Sequence, residues 1–149
     1  MSVQVHDMDR GMHTDMQRSI HSPSVSNERA VNDKGVHLIG DMYNVRGGSK
    51  EMSDKDSLEL FCLQKVKEAG LESVGKIFYQ FPESGVTGVV LLAESHIAIH
   101  TWPEKDYVTL DIYVCNVSQN NTEKAKRLYD SIIELFQPEN ISSHSIDRE

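Results

Sequence analysis

Apolar and polar positions begin to alternate with a period of two at Gly35. Val36, Leu38 and Gly40 interleave with His37, Ile39 and Asp41 toward Tyr43, which predicts a first strand. From Ser53 the period lengthens to that of a helix: Leu58, Phe61, Cys62, Val66 and Ala69 form one apolar stripe. Ser53 is placed to cap it, Asp54 and Asp56 suit the positive end of its dipole, and Gly70 ends it. Between strand and helix, Gly47-Gly48-Ser49 reads as a flexible loop. It is no phosphate cradle, since neither a P-loop lysine nor GxGxxG accompanies it. Three strands follow, Val74 to Phe81, Val86 to Ala93 and Ile97 to Thr101, with Pro82-Glu83-Ser84-Gly85 as the first turn. A fourth runs from Val108 to Cys115, with Val108, Leu110, Ile112 and Val114 on one face and Thr109, Asp111, Tyr113 and Cys115 on the other. A second helix starts at an Asn121 cap and carries Ala125, Leu128, Tyr129, Ile132, Ile133 and Phe136 until Pro138 stops it. A short strand near Ile141 to Ile146 closes the chain. The order β, α, three or four β, α, β predicts an α+β fold, a two-layer sandwich with an antiparallel sheet and helices on one face.

This folded unit spans residues 34–149. Residues 1–33 are polar, mixed in charge and poor in aromatics, with a turn-forming Ser22-Pro23-Ser24, and read as a disordered N-terminal extension. Met8, Met12, Met16 and Ile20 recur there at helical spacing, compatible with a transient amphipathic helix. His6, His13 and His21 lack metal-ligand spacing and read as solvated side chains.

Composition narrows the function classes. At 149 residues and 38% hydrophobic content the chain holds one domain with a modest core, small enough to be an obligate oligomer. A net charge of -8 without a Lys/Arg cluster argues against nucleic acid and anionic membranes as partners. The longest apolar run, Gly88 to Ala93, is far short of the roughly 20 residues that cross a bilayer, and no signal-peptide pattern is present. A cytoplasmic, soluble protein is expected. Cys62 lies in the apolar stripe and reads as a core thiol, whereas Cys115 is free to react in a reducing compartment.

The candidate chemistry is concentrated in Ala93-Glu94-Ser95-His96-Ile97-Ala98-Ile99-His100-Thr101-Trp102-Pro103-Glu104, followed by Cys115. His96 and His100 would meet on one metal if helical, but Ile97 and Ile99 alternate as in a strand, where four residues span about 13 Å. No metal site is expected. Ser95 lacks the G-x-S-x-G elbow of a serine hydrolase. A cysteine hydrolase built on Cys115 and His100 lacks a recognisable oxyanion hole. Satisfied polar groups in a buried hairpin would account for the same residues without any chemistry.

Resemblance decides between these readings. AESHIAIHTWPE, preceded by Gly85-Val86-Thr87-Gly88-Val89-Val90 and followed by Leu110-Asp111-Ile112-Tyr113-Val114-Cys115, resembles the processing site of the small prokaryotic S-adenosylmethionine decarboxylases. The likeness extends to Gly35, His37, Leu38, Asp41 and Tyr43 and through residue 149. It implies cleavage between Glu94 and Ser95: Ser95 Oγ attacks the Glu94 carbonyl, β-elimination follows, and residue 95 becomes a pyruvoyl group. His100 is implied to take the proton in that elimination, and Thr87 to assist it where the family usually has serine. The pyruvoyl ketone would form a Schiff base with the substrate amine and accept the electrons left by carbon dioxide. Cys115 matches the family's proton donor, a role suited to a thiol, which is mostly protonated at neutral pH. Phe81 matches the position that stacks adenine, Glu104 the one that binds ribose, and Trp102 is expected to line the pocket. The implied activity is decarboxylation of S-adenosylmethionine for spermidine biosynthesis by a homodimer of cleaved protomers with facing sheets.

Three positions depart from the family pattern. Val36 replaces a basic residue, and Asn44 and Asn116 stand where glycine is usual. Two alternatives therefore stand beside the first reading: a pyruvoyl-dependent arginine or ornithine decarboxylase, and a non-cleaving regulatory paralogue.

Overall fold

A computed structural model describes residues 34–149; the readings for residues 1–33 lie outside it. The alternating segments pair as anticipated. Strands β1 (Gly35–Val45), β2 (Ser73–Gln80), β3 (Val86–Leu92), β4 (Ser95–Trp102), β5 (Tyr107–Val114) and β6 (Pro138–Arg148) form one antiparallel sheet in the order β2-β3-β4-β5-β1-β6. Helices α1 (Ser49–Ser53), α2 (Lys55–Glu68) and α3 (Thr122–Phe136) complete the fold.

One parity of every central strand is buried. Val86, Val90, Ile97, Ile99, Val108, Leu110, Ile112 and Val114 meet Leu58, Cys62 and Val66 of α2 and Ala125, Leu128, Ile132 and Phe136 of α3 in a single core. Each fully buried Leu, Ile or Phe contributes roughly 1.5–3 kcal/mol, enough to settle which face the helices cover. The opposite face carries Thr87, Leu91, His96, His100, Trp102, Thr109, Asp111 and Tyr113 and, among the described residues, has no helix on it, so the two-layer α+β sandwich is realised.

Three local features differ from the sequence reading. The cap of α2 is Asp54, not Ser53: its carboxylate accepts from the Ser57 N–H at 2.9 Å and from Ser57 Oγ at 2.5 Å. Ser53 instead ends α1, a turn of helix that begins at Ser49 within the segment read as a loop. Gly48 is there for shape and not for flexibility. Its φ is 63°, and a Cβ would come within 2.8 Å of the Phe136 ring. Finally, β6 is eleven residues long and pairs with β1 from Gly35↔Arg148 to Val45↔Pro138. Most of its side chains are exposed, so no apolar alternation announced its length.

The α2 terminus forms as its glycine dictates. Leu71 N–H bonds to Val66 C=O and Gly70 N–H to Lys67 C=O, both at 3.0 Å, with Gly70 at φ 78°. Inside that helix Cys62 is fully buried, and burial pushes its thiol up to about 12. The protonated thiol is the form that folding favours, so its stabilisation is whole below pH 9. It drains as the unfolded-state thiol ionises between about pH 9 and 12. A Cys62→Ala variant is expected to show a flatter decline of denaturant-derived stability between pH 9 and 11 than the parent; parallel declines would contradict this.

Candidate active site

The β3–β4 hairpin turns through Ala93 and Glu94, with Leu92 paired to Ser95. No glycine serves this turn, and the unusual backbone angle falls on Ser95, whose φ is 111°. A side chain in that region costs about 1–3 kcal/mol. The angle has a chemical consequence. An L-residue's Cβ is offset by about 120° from its carbonyl carbon around N–Cα, so in an ordinary strand it points well away from the preceding carbonyl carbon. At φ 111° it comes within about 10° of eclipsing it. Attack of Ser95 Oγ on the Glu94 carbonyl closes a five-membered ring, and that near-eclipsed torsion is the one such a ring requires.

The scissile-bond candidate is held from three sides. The Glu94 carbonyl oxygen accepts from the Cys115 N–H at 3.3 Å, a donor placed to stabilise developing negative charge. The Glu94 carboxylate accepts from Ser118 Oγ and from Asn121 Nδ2, the latter at 2.7 Å. Asn121 Nδ2 also donates to the Cys115 carbonyl at 3.0 Å. Cys115 itself, anticipated as the end of this strand, follows the last residue of β5 and is half-buried and free.

The other end of the same hairpin carries a second group. Thr87 pairs with His100 across β3 and β4, and Thr87 Oγ1 lies 2.5 Å from His100 Nδ1. His100, Phe81, Trp102 and Glu104 line a cleft of ≈ 400 Å³ with Glu83 and Ser84 on its rim. Gly85 shapes it: at φ 88° it accepts from Phe81 N–H, and a Cβ would collide with the Thr101 carbonyl oxygen at 2.5 Å. Phe81 keeps 46% of its surface exposed against the edge of Tyr79, leaving a ring face free for stacking. Trp102 leans on Tyr107, which stacks on Tyr43; burial, then the neighbouring Asp41, pushes the Tyr107 hydroxyl up to about 12.

The sequence-derived residues thus separate into two groups. Glu94, Ser95 and Cys115 sit at one end of β4; Thr87, His100, Trp102, Phe81 and Glu104 sit at the other. Four strand residues lie between Ser95 and His100, a separation of roughly 16 Å. One protomer does not bring His100 to Ser95. His96 and His100, four residues apart on β4, likewise stay separated.

Several residues were missed. His37 Nε2 and Asp111 Oδ1 lie 3.0 Å apart on the open face, beside Tyr113, which also borders His96 and carries the Arg148 guanidinium 4.4 Å over its ring. Asn121 looked like an ordinary helix cap, but its side chain makes no cap bond to α3. Asn44 adopts φ 53°, which explains why glycine suits that position and why asparagine is a workable substitute. Asn116 is buried. Its amide donates to the Lys34 carbonyl at 2.6 Å and its oxygen accepts from Asn121 N–H at 2.8 Å, contacts glycine cannot make.

Comparison with known proteins bears on this geometry. The family model described as S-adenosylmethionine decarboxylase matches residues 36–149. An S-adenosylmethionine decarboxylase proenzyme from Archaeoglobus fulgidus is 37% identical over 115 residues, covering 76% of this chain and 96% of that protein. One from Picrophilus torridus is 36% identical over 114 residues, covering 76% and 83%. The crystal structure of the adenosylmethionine decarboxylase from Aquifex aeolicus matches at 37% identity and a TM-score of 0.68, covering 76% of this chain and 89% of that one. With most of the folded region matched in sequence and in shape, the chain belongs to the S-adenosylmethionine decarboxylase family.

Proposed function

We propose that this protein decarboxylates S-adenosylmethionine, supplying the aminopropyl donor for spermidine synthesis, after cutting its own chain between Glu94 and Ser95. The observation that carries the reading is the φ of Ser95, which brings its Cβ to the torsion that ring closure on Glu94 needs, next to a carbonyl that already accepts from an N–H. Ser95 Oγ adds to the Glu94 carbonyl, the C–N bond breaks, and an ester joins the two segments. Removal of the Ser95 α-proton then expels the Glu94 carboxylate and leaves dehydroalanine, which takes up one water and releases ammonia. The pyruvoyl group so made supplies a ketone that captures an amine and accepts the electron pair left by departing carbon dioxide.

The remaining residues have assignable tasks. The half-buried Cys115 thiol returns a proton to the substrate α-carbon. Phe81 and Trp102 offer ring faces to the purine and the sulfonium, and Glu104 an acceptor for ribose hydroxyls, in a cleft large enough for part of such a ligand. Thr87 fixes the His100 ring through Nδ1, leaving Nε2 to receive a proton.

Two protomers complete the site in this reading. The open sheet face exposes Ile77, Tyr79, Leu91, Tyr43 and Ile146, an apolar surface that a homodimer with facing sheets would cover. A two-fold axis crossing β4 between the two groups reverses strand direction in the partner and lays one protomer's His100 end over the other's Ser95 end. No helix among the described residues is long and apolar enough to cross a membrane.

Assaying carbon dioxide release side by side from S-adenosylmethionine, arginine and ornithine tests the substrate. Release from S-adenosylmethionine alone is expected. Release only from an amino acid would transfer the assignment to the arginine or ornithine reading, and release from none, with an uncut chain, to the regulatory paralogue.

A further inference from the structure

At the start of α3 the Asn121 side chain neglects the helix it should serve. Asparagine at this position normally accepts a bond from an N–H in the first turn, yet Asn121 makes none. Its Nδ2 reaches back across the fold instead, to the Glu94 carboxylate at 2.7 Å and the Cys115 carbonyl at 3.0 Å. Two acceptors on one nitrogen fix the amide's orientation, because the flipped amide would set oxygen against oxygen. That orientation leaves Asn121 Oδ1 without a partner although the residue is only 1% exposed. Asn116 meanwhile holds the backbone at the start of α3, accepting from Asn121 N–H at 2.8 Å and donating to Thr122 Oγ1 at 3.1 Å.

A side chain that gives up its cap bond and strands a buried carbonyl is arranged for the hairpin, not for the helix. We infer that Asn121 is a positioning residue for self-cleavage: by tying the Glu94 side chain and the Cys115 carbonyl to one nitrogen, it holds the Glu94 carbonyl on the Cys115 N–H and keeps Ser95 at its strained φ. Ser118 shares the task through its bond to the same carboxylate. The inference rests on the reading that the chain cuts itself at Glu94–Ser95. It also gives that cut a sequel, since the Glu94 side chain keeps the new chain end docked against α3 after the peptide bond is gone.

The test follows appearance of the fragment beginning at residue 95, in full-length protein, by denaturing electrophoresis and mass spectrometry. Asn121→Asp sets two carboxylates against each other and is expected to slow cleavage at least about tenfold, the scale of a small misplacement of reacting groups. Glu94→Gln alone keeps an acceptor for Asn121 and should cleave faster than Glu94→Ala. Combining the two restores a donor–acceptor pair with residue 94 but still sets an oxygen against the Cys115 carbonyl, so cleavage should recover only in part. Glu94→Ala severs the same contact without touching α3, so it reads the effect even if the Asn121→Asp chains fold poorly, and it too should be slow. A purely structural cap would not respond to Glu94. Asn121→Asp or Glu94→Ala cutting at the parental rate overturns this inference alone. A parent chain left whole, or cut at another bond, overturns the self-cleavage reading with it.

Discussion

Replacing Ser95 with alanine is expected to leave the chain as a single 16.8 kDa species with carbon dioxide release reduced at least about a thousandfold, as when the central group of a catalytic unit is removed. The reason lies in the atoms available. At φ 111° the Ser95 Cβ lies toward the Glu94 carbonyl carbon, alanine has no hydroxyl to attack it, and without the lost hydroxyl the residue-95 Cα cannot become a ketone carbon. A companion variant separates chemistry from conformation. Ser95→Gly also lacks the hydroxyl and should stay uncut, but glycine takes φ 111° freely, so it should be about 1–3 kcal/mol more stable to denaturant than Ser95→Ala. Normal cutting of Ser95→Ala would place the scissile bond elsewhere. Equal stability of the two variants would show that the hairpin relaxes and that the angle is not held against a strain.

Mixing two dead chains should restore cutting to one of them. Because about 16 Å of strand separates Ser95 from His100 in one protomer, a shared site takes its serine from one chain and its histidine from the partner. Ser95→Ala and His100→Ala, each expressed alone, should both remain whole. Expressed together with distinguishable tags, they form a mixed dimer in which the His100→Ala chain retains Ser95 and faces an intact His100. Its fragment should then appear, in up to roughly half of that chain if the subunits pair at random, while the Ser95→Ala chain stays uncut. A His100→Ala chain that remains whole in a demonstrated mixed dimer would end the shared-site reading.

Much of the fold was legible because burial writes itself into a period. Val108, Leu110, Ile112 and Val114 alternate strictly and all are buried; Leu128, Ile132 and Phe136 keep helical spacing and all are buried. What was not legible depends on contacts distant in sequence or on competition between near-equivalent local signals. Ser53 and Asp54 are both good caps, and only the reach of the Asp54 carboxylate to Ser57 decided between them. The length of β6 is set by backbone pairing with β1, which lies about a hundred residues earlier in the chain. At the site, the reactive side chains were named from a resemblance, but their partition into two groups comes from register alone. Asn121 stayed hidden for a related reason: a residue at a helix start reads as a cap until its 27-residue-distant partner Glu94 is seen.

The strand order has its own meaning for the proposed cut after Glu94. A break after Glu94 leaves β1, β2 and β3 on one piece and β4, β5 and β6 on the other, yet the sheet runs β2-β3-β4-β5-β1-β6. The pieces are therefore interleaved, meeting along β3/β4, β5/β1 and β1/β6, with β1 of the first piece enclosed between two strands of the second. Neither can leave while the sheet persists. Before the cut, a denatured molecule finds its way back alone. Afterwards it must find a second molecule, and maturation turns folding from a first-order event into a second-order one.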